Sequence, residues 1–204
     1  MLRHAAPVAT EEPTNIRVAA MLVRGYIDLF ERRGVMEKIR PKMSPALTAF
    51  VERPPLPIAW VDADLFYELF ALAGEATSYA ALRQFAVEHT SQQVGPMLLP
   101  MLKALLRLWG ATPATLFKNA ASVVGVQSKG TKFHYTAESD TSGVIEIDTG
   151  KALHPVVWAG WEGTLLFAFD VAGVKGEMGK TQVIDGGRRG RIAVRWWPDE
   201  KERR

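Results

Sequence analysis

The chain has 204 residues, enough for one domain with a single hydrophobic core, and 48% apolar with 23% charged residues are the proportions of a soluble globular protein. That composition excludes the disordered and membrane classes. A net charge of +3, with its excess gathered in GGRRGR at 186–191 and the terminal KERR, is too small and too local for a nucleic-acid binder. The chain has no cysteine, so disulfides, thiolate metal sites and cysteine nucleophiles are excluded, and a reducing cytoplasm is the expected location.

Residues 1–15, MLRHAAPVATEEPTN, lack an apolar run and carry two glutamates, so they read as a disordered polar leader and not as a targeting peptide. From Thr14 or Asn15, the spacing of Ile16, Ala19, Val23, Ile27 and Phe30 predicts a helix to Arg33, ended by Gly34. Ser44-Pro45 opens a short helix, and Pro54–Pro57 is an extended connector. Asp62 caps a helix with a wide apolar face, including Phe66 and Phe70, and Ser78 opens another that carries Tyr79, Leu82, Phe85 and Val87. The apolar stretch 94–109 is interrupted by Pro96, Pro100, Lys103 and Arg107 and falls short of the roughly 20 residues of a membrane span, so it reads as a core helix over 97–108, closed by Trp109-Gly110. Thr112-Pro113 starts a further helix to Val124.

After Gly125 the apolar period changes from 3.6 to 2. Phe133, Tyr135 and Ala137 alternate with Lys132, His134, Thr136 and Glu138, and a second strand over 144–147 pairs with this one as a hairpin. The segment from His154-Pro155 to Val171 is spaced for a helix, and 180–184 and 191–197 flank a glycine-rich turn. The expected architecture is α+β: one domain over 16–197, with a helical part at 16–125 packed on a ββαββ antiparallel-sheet part at 126–197, and a polar tail at 198–204.

Four strings carry a resemblance: WVDADLFYELFALAGEA, LLPMLKALLRLWGATPATLFKNA, GWEGTLLFAFDVAGV and the terminal IAVRW. Together they resemble an uncharacterised paralogous family seen chiefly in myxobacteria. That family is related to the superfamily of haem-nitric-oxide-binding sensors, 4-vinyl-reductase-type sensor domains and TRAPP-type trafficking subunits. The resemblance spans roughly residues 16–197 and implies a helical subdomain clasping a ββαββ subdomain, with an apolar cavity between them in the relatives that bind ligand. Haem-binding relatives use a proximal histidine before the first hairpin and a Tyr-x-Ser-x-Arg string. Here 98–124 contains no histidine and the string at Tyr135 reads YTAES, so neither haem nor any other cofactor is expected. The cysteine-containing metal site of 4-vinyl-reductase-type domains has no counterpart.

The residues themselves offer little chemistry. His4, His89, His134 and His154 form no ligand pair at helical spacing; His89 reads as a surface or supporting residue, His134 as solvated and His154 as a helix start. Asp62-x-Asp64 reads as a cap plus a first-turn acid, not a metal site, and GGRRGR as a solvated hairpin turn. No nucleophile elbow, S-x-x-K or H-E-x-x-H string occurs, so an enzyme is not expected.

The aromatics Phe66, Phe70, Phe85, Trp109, Trp158, Trp161 and Phe167, with Phe169, either fill an ordinary core or line a lipophilic cavity between the halves. Trp196 and Trp197 cannot both face inward from one strand, which makes them interface candidates. The favoured expectation is a non-enzymatic sensor or carrier domain for a small, largely apolar ligand. The alternative is a protein-interaction module with a filled core, working as a homodimer or with a related partner; neither nucleic acid nor a membrane span enters either reading.

Overall fold

A computed structural model describes residues 16–94, 99, 100, 104 and 112–198. The leader 1–15, the tail after Pro198 and most of the expected 97–108 helix lie outside the described residues.

The chain starts as a strand where a helix is expected. Residues Arg17–Ala19 (β1) pair antiparallel with Trp60–Asp62 (β2) on one side and Ser128–Lys129 (β3) on the other. This three-stranded clip fixes the start of two helices and the entry to the second half. Apolar Ile16 and Val18 are buried in it, and helical geometry begins only at Ala20. Helix α1 (Ala20–Arg32) is followed by the one-turn α2 (Met36–Ile39) and by α3 (Pro45–Glu52), capped by the Ser44 hydroxyl, which accepts from the Leu47 amide at 3.1 Å. Helix α4 (Ala63–Ala76) is capped by Asp62, whose carboxylate accepts from the Asp64 amide at 2.9 Å, as expected for an N-cap. Helix α5 (Tyr79–His89) is capped by Ser78 and runs into one π-helical turn at Thr90–Val94. The expected 112–124 helix is two short ones, α6 (Pro113–Lys118) and α7 (Ala120–Val124), broken at Asn119.

The second half is built on a five-stranded antiparallel sheet. Strands β4 (Lys132–Ser139) and β5 (Ser142–Asp148) form the expected hairpin, and β8 (Arg189–Pro198) pairs with β5. Along β5 and β8, Ile145, Ile147, Ile192 and Val194 face the core while Glu146, Arg191 and Arg195 face out. Helix α8 (Trp158–Ala172) covers the inner face.

Within this sheet one strand is additional to expectation, as are β1, β2 and β3 outside it: Val174–Met178 (β6), separated from α8 only by Gly173, whose φ of 66° is the left-handed conformation that ends a helix in one residue. Strand β7 (Gln182–Ile184) follows, and β6 and β7 share the second edge of β8. The strand order is β4-β5-β8-β6, with β7 also on β8, and β8 continues through Pro198, one residue into the expected tail. The α+β class stands. No helix among the described residues is long and apolar enough to cross a membrane.

Helices α5 and α8 are packed at backbone distance. A Cβ on Gly163 would lie 2.3 Å from the Arg83 carbonyl oxygen and 2.6 Å from the Ala86 Cβ. Backbone cannot yield as a side chain can. Gly163→Ala is therefore expected to lower stability by about 1–3 kcal/mol despite alanine's better helix propensity, as read by urea or thermal unfolding.

Candidate functional site

Between the halves lies a cavity of about 110 Å³. Leu22 and Tyr26 of α1 and Phe66 of α4 form one wall; Leu116, Phe117, Ala120, Val123 and Val124 of α6 and α7 form another. Helix α8 supplies Gly160, Trp161, Thr164, Leu165, Phe167, Ala168 and Val171, and the C-terminal end of α5 supplies His89 and Thr90. None of the described lining residues is charged. A second cleft of about 210 Å³, beside α1 and α3, is lined by Arg24, Asp28, Glu31, Arg40 and Glu52 and has no buried donor facing it.

Six polar side chains punctuate the apolar walls: Tyr26, His89, Thr90, Gln127, Ser128 and Thr164. Tyr26 stacks on the His89 ring, with centroids 4.0 Å apart and planes 14° apart, and meets Phe70 edge-on at 4.6 Å. Burial holds the Tyr26 phenol well above its ordinary range, opposed by the Thr164 hydroxyl. His89 is 3% exposed, and its Nδ1 has no hydrogen-bond partner among the described residues. Burial, with the nearby Arg32 charge adding to it, pulls the imidazole down to about 4, so at neutral pH it is an uncharged ring with an uncommitted nitrogen. The expectation that His89 is a surface or supporting residue is corrected.

Of the aromatics singled out in the sequence, Phe66, Trp161 and Phe167 line the cavity. Phe70 and Trp158 are fully buried in the packed core behind it, and Phe85 packs against Phe30 at 5.6 Å, so these three are core and not lining. Phe169 packs edge-on against Phe117. Trp109 lies outside the described residues. Trp196 is buried near Phe117, which removes it as an interface candidate, whereas Trp197 is 44% exposed.

Sequence reasoning weighed His89 but missed Tyr26, Thr90, Gln127, Ser128 and Thr164; Tyr26 and Thr164 each sit as a polar residue in an apolar helical face. The histidines at 134 and 154 are apart from the cavity: His134 is exposed on β4, and the His154 side chain accepts from the Val156 amide at the start of the turn into α8. The expected solvated turn over GGRRGR is only partly so: Asp185–Gly187 makes the turn, whereas Arg189, Gly190 and Arg191 belong to β8, with Gly190 buried, and Arg189 pairs with Asp148 and Asp185. No group of three or more metal-ligating side chains occurs among the described residues.

The pH consequence of His89 follows from its depressed affinity for protons. The unfolded imidazole titrates near 6.5 and the folded one near 4, so between those values the unfolded state binds more protons and stability falls as pH is lowered. The loss is on the order of 3 kcal/mol and complete near pH 4. His89→Phe is expected to flatten this part of the stability profile, measured by denaturant unfolding at pH 4.5 and 7.

The chain matches no protein-family model and no curated sequence. Solved structures do match. An Fe(II) unliganded H-NOX protein from K. algicida superposes with a TM-score of 0.67 at 12% identity, over 89% of this chain and 98% of that one. A structure from work on modulating heme redox potential through protein-induced porphyrin distortion gives 0.54 at 12% identity, over 86% and 96%. One from a study probing heme distortion in the H-NOX family gives 0.53 at 14%, over 88% and 94%. At these identities the likeness establishes the fold.

It also corrects the expectation that haem and every other cofactor are absent. That expectation rested on the lack of a histidine in 98–124 and of an arginine after Tyr135. The matching structures are H-NOX and heme proteins, and here the fold brings a histidine from a different helix, His89 of α5, to the cavity wall.

Proposed function

We propose that this domain is a non-enzymatic sensor that binds an apolar ligand in the cavity between its helical and sheet halves, with haem as the first candidate and His89 as the group that would hold it. The observation that carries the reading is the uncharged, buried imidazole, its Nδ1 without a hydrogen-bond partner among the described residues, on a mainly apolar wall. A buried nitrogen without a partner is costly, and such groups persist where a ligand, ion or water completes them.

The donor set fits haem. The neutral His89 imidazole would ligate haem iron, and Leu22, Phe66, Val123 and Leu165 suit a flat hydrocarbon body. When bound, haem would supply an iron able to take a small ligand. Ligands of that size occupy roughly 300–1,000 Å³, more than the 110 Å³ present, so uptake requires the walls to part. Tyr26 would orient the imidazole by stacking, and Thr164 would keep the Tyr26 hydroxyl satisfied. The charge-free lining would exclude water and free ions. A cytoplasmic setting and kinship with the myxobacterial family accord with this reading.

The test is titration of the purified protein with haemin, read by the Soret band and by quenching of Trp161, together with native mass spectrometry of the protein as purified. Saturable one-to-one uptake is expected, weakened at least about tenfold in His89→Phe. Equal affinity in that variant would remove His89 from the role. No uptake of haemin would remove haem, and a different co-purifying mass would then name the ligand class.

A further inference from the structure

We infer that Glu162 is a positioning residue that couples the cavity to the β6–β7 linker, making the segment 178–184 the part of the domain where ligand occupancy is read out. The inference rests on the cavity being the ligand site.

Helix α8 presents two chemically distinct faces. Trp161, Thr164, Leu165 and Ala168 face the cavity, while Glu162 points the other way and is 1% exposed. Its Oε1 accepts from the Thr181 amide at 2.6 Å, from the Thr181 hydroxyl at 2.8 Å and from the Tyr79 hydroxyl. Its Oε2 lies 3.3 Å from Arg83 Nε, an ion pair and not an aligned hydrogen bond, and Arg83 also donates to the Met178 carbonyl at 2.8 Å. One carboxylate thus ties together α5, α8 and the linker between β6 and β7. Tyr79 and Arg83 are four residues apart, on one face of the helix whose last residue is His89.

A buried carboxylate is expensive to desolvate, and removing one partner leaves the rest uncompensated. The three partners, Tyr79, Arg83 and Thr181, are therefore interdependent. At Gly163, beside Glu162, α8 meets the α5 backbone and the Ala86 Cβ directly, so the two helices are closely packed there. A ligand in the cavity bears on α5 through His89 and Thr90 and on α8 through Trp161, Thr164 and Ala168, so a change in the mobility of either helix reaches Thr181 through Glu162. The receiving segment carries exposed Gln182 and Val183 next to Lys180, a surface that another protein can touch.

The test uses benzene, which enters dry apolar cavities of comparable volume. Occupancy is followed by ligand-observed NMR, and hydrogen exchange is measured at amides 178–184. In the wild type, benzene is expected to slow that exchange about threefold or more, because binding orders what it is coupled to. In Glu162→Gln the benzene-dependent change should disappear while occupancy is retained. Thr181→Val, which removes one hydroxyl, should reduce it, and it carries the test if Glu162→Gln does not fold. A linker that ignores bound benzene in the wild type, or an undiminished response in both variants, overturns the inference. Failure of benzene to enter overturns the cavity reading and this inference with it.

Discussion

Two helix backbones in contact set the terms for the rest of the molecule. Where α5 meets α8 at Gly163, no side chain intervenes, and the neighbouring Glu162 is sealed from water by that closeness. Sealing a carboxylate is tolerable only because Tyr79, Arg83 and Thr181 are all supplied at once. Apolar contacts alone would leave the angle between the helices adjustable; a carboxylate with several fixed donors does not. The cavity lies on the other side of α8, so the same helix carries the sealed carboxylate on one face and the cavity lining on the opposite one.

Much of the fold is legible in the sequence, and the rest fails for local reasons. The change of period after Gly125, the caps at Ser44, Asp62, Ser78 and Thr112 and the first hairpin are all encoded by neighbours in the chain. The strand at Arg17–Ala19 is not, because Ile16 and Ala19 continue the helical spacing of α1 and only pairing with distant Trp60–Asp62 makes the segment extended. Strand β6 escapes notice because Gly173 joins it directly to α8 and its alternation, with glycine at one inward position, is weak.

The cavity is less legible than the fold. An aromatic at helical spacing looks the same whether it lines a void or fills a core, which is why Phe66 and Trp161 could not be separated from Phe70 and Trp158. His89 is harder still. It closes a helix beside Glu88 and Gln92, a polar context that marks a surface, and its burial comes from α1 and α8, far away in sequence. Glu162 is the one acid of α8 before Asp170, but its partners Tyr79, Arg83 and Thr181 are distant in the chain and carry no local signal of the pairing.

Gly173 is the whole connection between a helix with a period of 3.6 and a strand with a period of 2. With no slack residues, the rotational setting of α8 dictates which side chains of β6 face inward. One added residue there would turn Met178 outward and bring Lys175 and Glu177 beneath the helix. The junction is thus the domain's phase lock: it admits changes of residue type more readily than any change in residue count.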